Sequence, residues 1–305
     1  MSATPKIVER IAELRAVLDA ERSAGKGVGF VPTMGFLHEG HASLMRRARE
    51  ENDVVLVSIF VNPLQFGPSE DFAAYPRDLD RDLELCAREG VDLAFCPPVE
   101  EMYPEPNTLT VTVGEIGMIL EGRTRPGHFD GVATVVSKLF NIAGACRAYF
   151  GEKDAQQLVV IRRLARQLDF PVEVVGCLTV REPDGLAMSS RNTYLDHEQR
   201  RAAAVLKKAL DEGARLLGHG ETNPSTIEKA MADVVGAEPL AKLDYAACVD
   251  PESLGEAADP HRPVLLAIAA WVGKARLIDN VTVDPAAPKA ARTGTSTDGA
   301  SIRKG

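Results

Sequence analysis

Two histidines three residues apart, His38 and His41, stand in the stretch Val31-Pro32-Thr33-Met34-Gly35-Phe36-Leu37-His38-Glu39-Gly40-His41. Gly35 and Gly40 let main chain approach a ligand closely, and the two imidazoles share one face once a helix begins. A helix N-terminus offers free N–H groups and a partial positive charge, so the ligand that suits this arrangement is a phosphate. Two histidines can also simply cap such a turn. The spacing is not that of a zinc protease: His-Glu-x-x-His needs a second histidine at position 42, which is Ala42.

Further polar residues recur at points where strands should end. Asn62 and Gln65 lie in a loop rich in proline and glycine, placed to hydrogen-bond a small polar substrate. Lys153 stands at the start of a helical segment, where it can reach a phosphate as a point charge. Gln157 falls one turn before Ile161, Leu164 and Leu168, on what reads as the buried stripe; a polar side chain there needs a partner, which points to a ligand. Ser189, Ser190 and Arg191 follow a glycine-bearing loop, and two hydroxyls with a guanidinium can wrap a triphosphate. An N-cap explains one of these serines but not the pair with Arg191. The run Glu121 to Gly131 adds Arg123, Arg125 and His128 ahead of another helix, a local concentration of positive charge that, taken by itself, reads first as a solvated basic turn.

Such residues need a scaffold that brings strand ends together. Residues 27–31 and 54–61 are nearly continuous apolar runs, as expected of strands covered on both faces. Further strands are expected at 91–95, ending at Tyr149-Phe150, and at 172–178, each separated from the next by a helical pattern. Five alternations of strand and helix predict an α/β fold with a doubly wound parallel, Rossmann-like sheet, whose ligands bind beyond the carboxyl ends of the strands. A helix is expected from residue 5 to about 22, and a half-exposed strand at 108–113, where Thr alternates with Leu or Val.

After Tyr194 the pattern changes to a long helix from 196 to about 217 capped by Asp196, a second at 224–236, and strands at 243–249, 264–270 and 275–278. The expected organisation is a nucleotide-binding domain over 1–190, a smaller C-terminal α+β domain over 191–283 acting as a lid, and a disordered tail over 284–305. The 305 residues, 45% hydrophobic and 26% charged, have an ordinary globular composition; no apolar run suits a membrane span, and charges at Lys6, Glu9, Arg10 and Glu13 speak against a signal peptide. Five scattered cysteines without a Cys-x-x-Cys pair fit neither a disulfide framework nor a zinc site, so the cytoplasm is expected. A net charge of −9 disfavours nucleic-acid binding.

Taken together, Pro32-Thr33-Met34-Gly35 with His38-x-Gly40-His41, Ile59-Phe60-Val61-Asn62-Pro63-x-Gln65-Phe66, Arg125-Pro126-Gly127-His128-Phe129-x-Gly131-Val132, Gly151-Glu152-Lys153-Asp154-x-Gln156-Gln157 and Asp184-Gly185-Leu186-Ala187-Met188-Ser189-Ser190-Arg191-Asn192 resemble the pantothenate synthetase (pantoate–β-alanine ligase) family. The paired-histidine turn alone indicates only the wider nucleotidyltransferase superfamily. The resemblance runs from about residue 5 to Asn280 in the family's motif order; Ala155 departs from it, where an aromatic residue is usual.

The resemblance implies ATP-dependent condensation of (R)-pantoate with β-alanine through pantoyl adenylate, releasing AMP and pyrophosphate, with Mg2+ on the phosphates. It implies His41 as proton donor, His38 sharing the phosphate contact, and Lys153, Ser189, Ser190 and Arg191 on the β- and γ-phosphates. Met34, Gly35, Phe36, Leu37, His38, Glu39, Gly40, His41, Gly151, Glu152, Lys153, Asp154, Val180 and Met188 match its ATP positions, with the Met188 loop able to close over the phosphates. Gln65 and Gln157 match its pantoate contacts, and Gln65 also its β-alanine site. Asn62, Tyr75, Arg125 and His128 are expected in the substrate pocket, Asp82 as a magnesium ligand, and a homodimer through the large domain. Two other functions share parts of the pattern: an adenylyltransferase acting on another acceptor, and a non-catalytic ATP-binding regulatory module.

Overall fold

The computed structural model describes residues 4–67, 72–73, 75–106, 109–257, 259 and 262–285. The chain divides into two compact units, Met1–Tyr194 and Leu195–Gly305.

In the first unit, strand β1 (Lys6–Val8) and helix α1 (Ile11–Ser23) precede β2 (Val28–Thr33), α2 (Glu39–Glu51) and β3 (Val54–Ile59). Then come α3 (Leu79–Arg88), β4 (Leu93–Phe95), the short helices α4 (Val99–Met102) and α5 (Glu121–Thr124), α6 (His128–Ala143), β5 (Cys146–Gly151), α7 (Ala155–Gln167) and β6 (Val172–Cys177). The six strands form one parallel sheet in the order β1-β4-β3-β2-β5-β6. Successive residues point to opposite faces, so Phe30, Val54 and Leu56 pack with α1, α6 and α7, while Val31, Val55, Val57 and Tyr149 pack with α2 and α3. Both faces are covered, which is why these strands read as unbroken apolar runs.

The strand order reverses between β2 and β5. That ladder covers only Gly29↔Arg147 and Phe30↔Ala148, although β2 continues to Thr33 and β5 to Gly151. The carboxyl ends of the two strands are therefore unpaired with each other, and the histidine turn and the Lys153 segment start from them. This is the crevice that open α/β sheets use for ligands.

Several expectations need correction. Residues 6–8 form an edge strand, so the first helix starts at Ile11. Residues 109–113 form no strand; the N–H groups of Val111 and Val113 donate to Thr134 Oγ1 (2.9 Å) and Asp130 Oδ1 (2.8 Å) on α6, so a helix's side chains take the place of a neighbouring strand. Thr108 lies outside the described residues, as does the expected disordered tail from residue 286 on.

The second unit holds α8 (His197–Ala202), α9 (Val205–Gly218), α10 (Pro224–Gly236) and an antiparallel sheet of β7 (Ala241–Val249), β8 (Val264–Val272) and β9 (Ala275–Val283). The expected single helix from 196 is broken where Ala204 and Leu206 donate to Arg201 and Ala203, three residues back rather than four. Asp196 caps α8 as expected, accepting from Glu198 and Gln199 while Gln199 accepts a bond from its N–H.

Candidate active site

The turn between β2 and α2 is fixed at both ends. Thr33 Oγ1 donates to the Ser58 carbonyl (2.7 Å) on the adjacent strand and accepts from Gly35 N–H (3.2 Å). Phe36 has a left-handed backbone (φ 50°), an uncommon state for a bulky residue that surrounding contacts must hold. Asp82 on α3 supplies them: its two carboxylate oxygens accept from Phe36 N–H (2.8 Å) and Leu37 N–H (2.7 Å). The neighbouring Arg81 guanidinium lies 4.9 Å from the Phe36 ring centre.

The histidines do cap the turn, in a way that leaves their chemistry available. Gly40 N–H donates to His38 Nδ1 (3.1 Å), and His38 N–H donates to His41 Nδ1 (3.3 Å), a reciprocal capping box at the start of α2. Gly40 is required for this: a Cβ there would sit 2.9 Å from His38 Nδ1. Because each Nδ1 accepts, each neutral ring carries its proton on Nε2. The rings are 4.2 Å apart, centre to centre. Burial, then His38 and Lys153, push the His41 imidazolium down to about 3; burial, then Lys153, push His38 down to about 4, with Asp154 opposing. At neutral pH the site therefore presents a pair of neutral imidazoles, and Lys153 lies close enough to both to act on them.

On the next strand, β3, the loop beyond it carries Asn62 and Gln65 on one turn of 3₁₀ helix, Pro63–Gln65. Both are buried. Asn62 Nδ2 donates to Gln65 Oε1 (3.2 Å) and to the Gly131 carbonyl (3.1 Å), while Gln65 Nε2 reaches Met34 Sδ (2.8 Å) in the histidine turn. Gly131 lets α6 approach: a Cβ there would lie 2.1 Å from the Leu64 carbonyl oxygen. His128 Nδ1 lies 2.8 Å from the Gln65 carbonyl oxygen, and Arg125 Nη1 lies 3.1 Å from His128 Nε2. Arg125 and His128 thus hold the main chain of Gln65. Tyr75 is buried and sets its ring edge-on to Phe66, 5.8 Å between centres.

Beyond β5, Gly151 leads into Glu152, Lys153 and Asp154 and then α7. The buried stripe of α7 runs through Ile161 and Leu164 as expected, but its two ends differ from the expectation. Gln156, not Gln157, is the deeply buried amide, and it is fully occupied inside the protein, accepting from Glu121 N–H (2.9 Å) and donating to the carbonyls of Ile116 (2.7 Å) and Ile119 (2.9 Å). Leu168 is 52% exposed, so it does not belong to the stripe. Gln157 is half-buried at the first turn of the same helix.

After β6 the chain forms a small hairpin in which Glu182 N–H donates to the Leu186 carbonyl (2.8 Å) and Met188 N–H to the Val180 carbonyl (3.0 Å). Asn192 Nδ2 ties it down through the Ala187 carbonyl and Glu182 Oε1, both at 3.2 Å. Met188 comes against the histidine turn, its Cβ 3.9 Å from the place a Gly40 Cβ would occupy. Ser189 Oγ accepts from Arg191 N–H (3.3 Å), the local cap, and Ser190 opens a 3₁₀ turn to Tyr194.

Asp82, expected as a magnesium ligand, is buried and has each of its oxygens bonded to a main-chain N–H group of the turn. Among the described residues no group of three or more His, Cys, Asp or Glu gathers as a metal site. Sequence reasoning also missed Tyr103, whose hydroxyl donates to Asn62 Oδ1 (2.8 Å) across 41 positions of sequence; no local motif signals it.

The sequence profile described as pantoate-beta-alanine ligase matches residues 6–282. Pantothenate synthetase of Sinorhizobium medicae is 54% identical over 94% of this chain and 98% of its own, and that of Caldicellulosiruptor bescii 50% identical over 91% and 99%. The crystal structure of pantothenate synthetase from Thermus thermophilus superposes with a TM-score of 0.85 at 52% identity, covering 90% of this chain and 98% of that one. That of pantoate-beta-alanine ligase from Francisella tularensis, complexed with beta-gamma ATP and beta-alanine, gives 0.75 at 35% identity over 90% and 97%. With a paired-histidine turn and an amide loop at the switch point of the same fold, the chain belongs to the pantoate–β-alanine ligase family and condenses pantoate with β-alanine using ATP.

Proposed function

We propose that this condensation runs in two steps through pantoyl adenylate. The pantoate carboxylate attacks the α-phosphorus of ATP; a P–O bond forms, the bond to the bridging α–β oxygen breaks, and pyrophosphate leaves. The β-alanine amine then attacks the acyl carbon, the C–O bond to AMP breaks, and the amine gives up its proton as the amide forms. A carboxylate is ionised at neutral pH and needs no base, so the first step asks for in-line placement and stabilisation of phosphate charge.

The observation that carries this reading is that both histidine Nδ1 atoms are occupied by main-chain N–H groups. Each Nε2–H is thereby committed as a donor at the N-terminus of α2, where an anion is favoured. His41 donates to the phosphate oxygen that gains charge, and His38 shares the contact. Lys153, Ser189, Ser190 and Arg191 hold the β- and γ-phosphates, and the segments Met34 to His41 and Gly151 to Asp154, with Val180 and Met188, enclose the nucleotide. Gln65 and Gln157 bind pantoate, with Gln65 also facing β-alanine, beside Asn62 and Tyr75. Arg125 and His128 complete the substrate pocket and also hold the main chain of Gln65.

Mg2+ enters as part of MgATP. A cation that takes most of its ligands from phosphate and water suits a site whose own carboxylate, Asp82, is engaged with the turn. The same reading includes a homodimer through the first unit and a cytoplasmic enzyme; among the described residues no helix is long and apolar enough to cross a membrane. The test is pyrophosphate–ATP exchange with labelled pyrophosphate, pantoate present and β-alanine absent. Exchange dependent on pantoate is expected. Folded protein that forms pantothenate and AMP from all three substrates, yet shows no exchange even with an unreactive β-alanine analogue bound, would overturn the adenylate route.

A further inference from the structure

Gln65 is useful to pantoate only if its amide points the right way round. A side-chain amide has one accepting and one donating end of nearly the same shape, and nothing in its own covalent structure decides which end faces the ligand. Pantoate offers a carboxylate, which only accepts, and hydroxyls, which both donate and accept, so the donating end of the amide can bond to every one of its polar groups and the accepting end cannot.

The polar groups behind Gln65 make that choice. Tyr103, just past α4, donates its hydroxyl to Asn62 Oδ1 (2.8 Å), and the same oxygen accepts from Leu64 N–H (3.3 Å). Asn62 is 1% exposed, and its Nδ2 then has two acceptors, the Gly131 carbonyl and Gln65 Oε1. All four hydrogen-bonding positions of the Asn62 amide are filled. With its oxygen held by Asn62, Gln65 turns Nε2 toward Met34 Sδ. A thioether is a weak acceptor that a carboxylate or hydroxyl oxygen readily replaces. Burial drives the Tyr103 phenol well above its ordinary range, so it remains a donor at every working pH. Its ring is held independently, tilted against Phe60 at 6.1 Å and with the Lys138 ammonium 5.4 Å from its centre.

We infer that Tyr103 is a positioning residue for pantoate recognition: through Asn62 it fixes the amide of Gln65 with its N–H end toward the substrate. The inference rests on the reading of Gln65 as a pantoate contact. Tyr103 does not touch the reacting atoms and acts only through the relay Tyr103–Asn62–Gln65.

Tyr103→Phe removes the hydroxyl and keeps the ring, so the packing against Phe60 and Lys138 is retained. The expected result is a rise of about three- to tenfold in the pantoate KM, the range of one ordinary buried hydrogen bond, with kcat and the ATP KM within about twofold. Gln65→Leu and the double variant complete a cycle. If the relay operates, Gln65→Leu raises the pantoate KM and Tyr103→Phe adds little on top of it. If Gln65→Leu raises the pantoate KM while Tyr103→Phe leaves it unchanged, or adds its full effect in the double variant, the relay is refuted and the pantoate contact stands. Should Gln65→Leu leave the pantoate KM unaltered, the contact itself fails and the relay with it. An equal loss in pantoate and ATP parameters on Tyr103→Phe would mark a merely structural residue and overturn the inference.

Discussion

Replacing Asp82 with asparagine tests how the histidine turn is held. Its carboxylate accepts from two consecutive main-chain N–H groups, of Phe36 and Leu37, and one of these residues has a left-handed backbone. Asparagine has one accepting end, so one N–H must face an NH2 group. A buried donor left without an acceptor costs about 1–3 kcal/mol. A second effect opposes this one. Burial outweighs the two N–H bonds and raises the Asp82 carboxyl pKa, so the ionised group carries a desolvation cost that asparagine removes. The raised pKa means that this group favours the folded state below its unfolded value and loses that contribution as pH rises through its folded value. The two effects partly cancel in global stability, leaving a loss of about 1 kcal/mol. They do not cancel in geometry, because the turn must still move to relieve the orphaned N–H. The expected outcome is an ATP KM raised about tenfold, equivalent to about 1.4 kcal/mol, with a small fall in the urea midpoint at unchanged slope. Exchange kinetics over an ATP series, at several magnesium concentrations, provide the assay. An unchanged ATP KM would refute the clamp, and so would recovery of normal kinetics by excess Mg2+ alone, which is the signature of a lost metal ligand.

Three other outcomes follow from the same geometry. His41→Ala removes an Nε2–H donor and the acceptor for His38 N–H; pyrophosphate exchange should fall by about a hundredfold or more in a protein whose circular dichroism is native, and near-normal exchange would remove His41 from the chemistry. Since burial holds His41 and His38 down at about 3 and about 4, the free protein should show neither ring titrating above pH 5 by NMR, and the stability they contribute, complete above their unfolded value near 6.5, should decline as pH falls toward 4; a ring transition near 6.5 contradicts this. Gln156→Leu orphans three main-chain partners and should lower the urea midpoint with a loss of about 2–4 kcal/mol, whereas Gln157→Leu should leave stability intact and raise the pantoate KM; the reverse pattern would exchange the roles of the two glutamines and refute this assignment.

What could be read from the sequence follows from how far each interaction reaches along the chain. The parallel sheet was legible because burial on both faces leaves a continuous apolar signature in β2 and β3, and the histidine turn because its own glycines and imidazoles lie within eight residues, Met34 to His41. The edge strand β1 was not, since three residues with one buried side chain carry no periodicity to distinguish them from the helix that follows. The buried glutamine of α7 escaped for a related reason: Ile161 and Leu164 mark the stripe, but two adjacent glutamines differ by only about 100° around the helix, and the carbonyls of Ile116 and Ile119, some forty positions away, decide that Gln156 is the one buried. Asp82, Tyr103, Arg125 and His128 share that property. Each acts on a site residue through a partner 41 to 63 positions distant, so sequence places a charge or hydroxyl near the pocket without saying whether it faces the ligand or the protein. In this fold, accordingly, the residues of the proposed phosphate site announce themselves by type. Those that orient the proposed substrate amide become visible only when the donor and acceptor of each hydrogen bond are assigned in turn: Asn62, read from sequence as a loop amide, is bonded at once to Tyr103, Gly131 and Gln65, and so links residues up to 69 positions apart to what Gln65 presents.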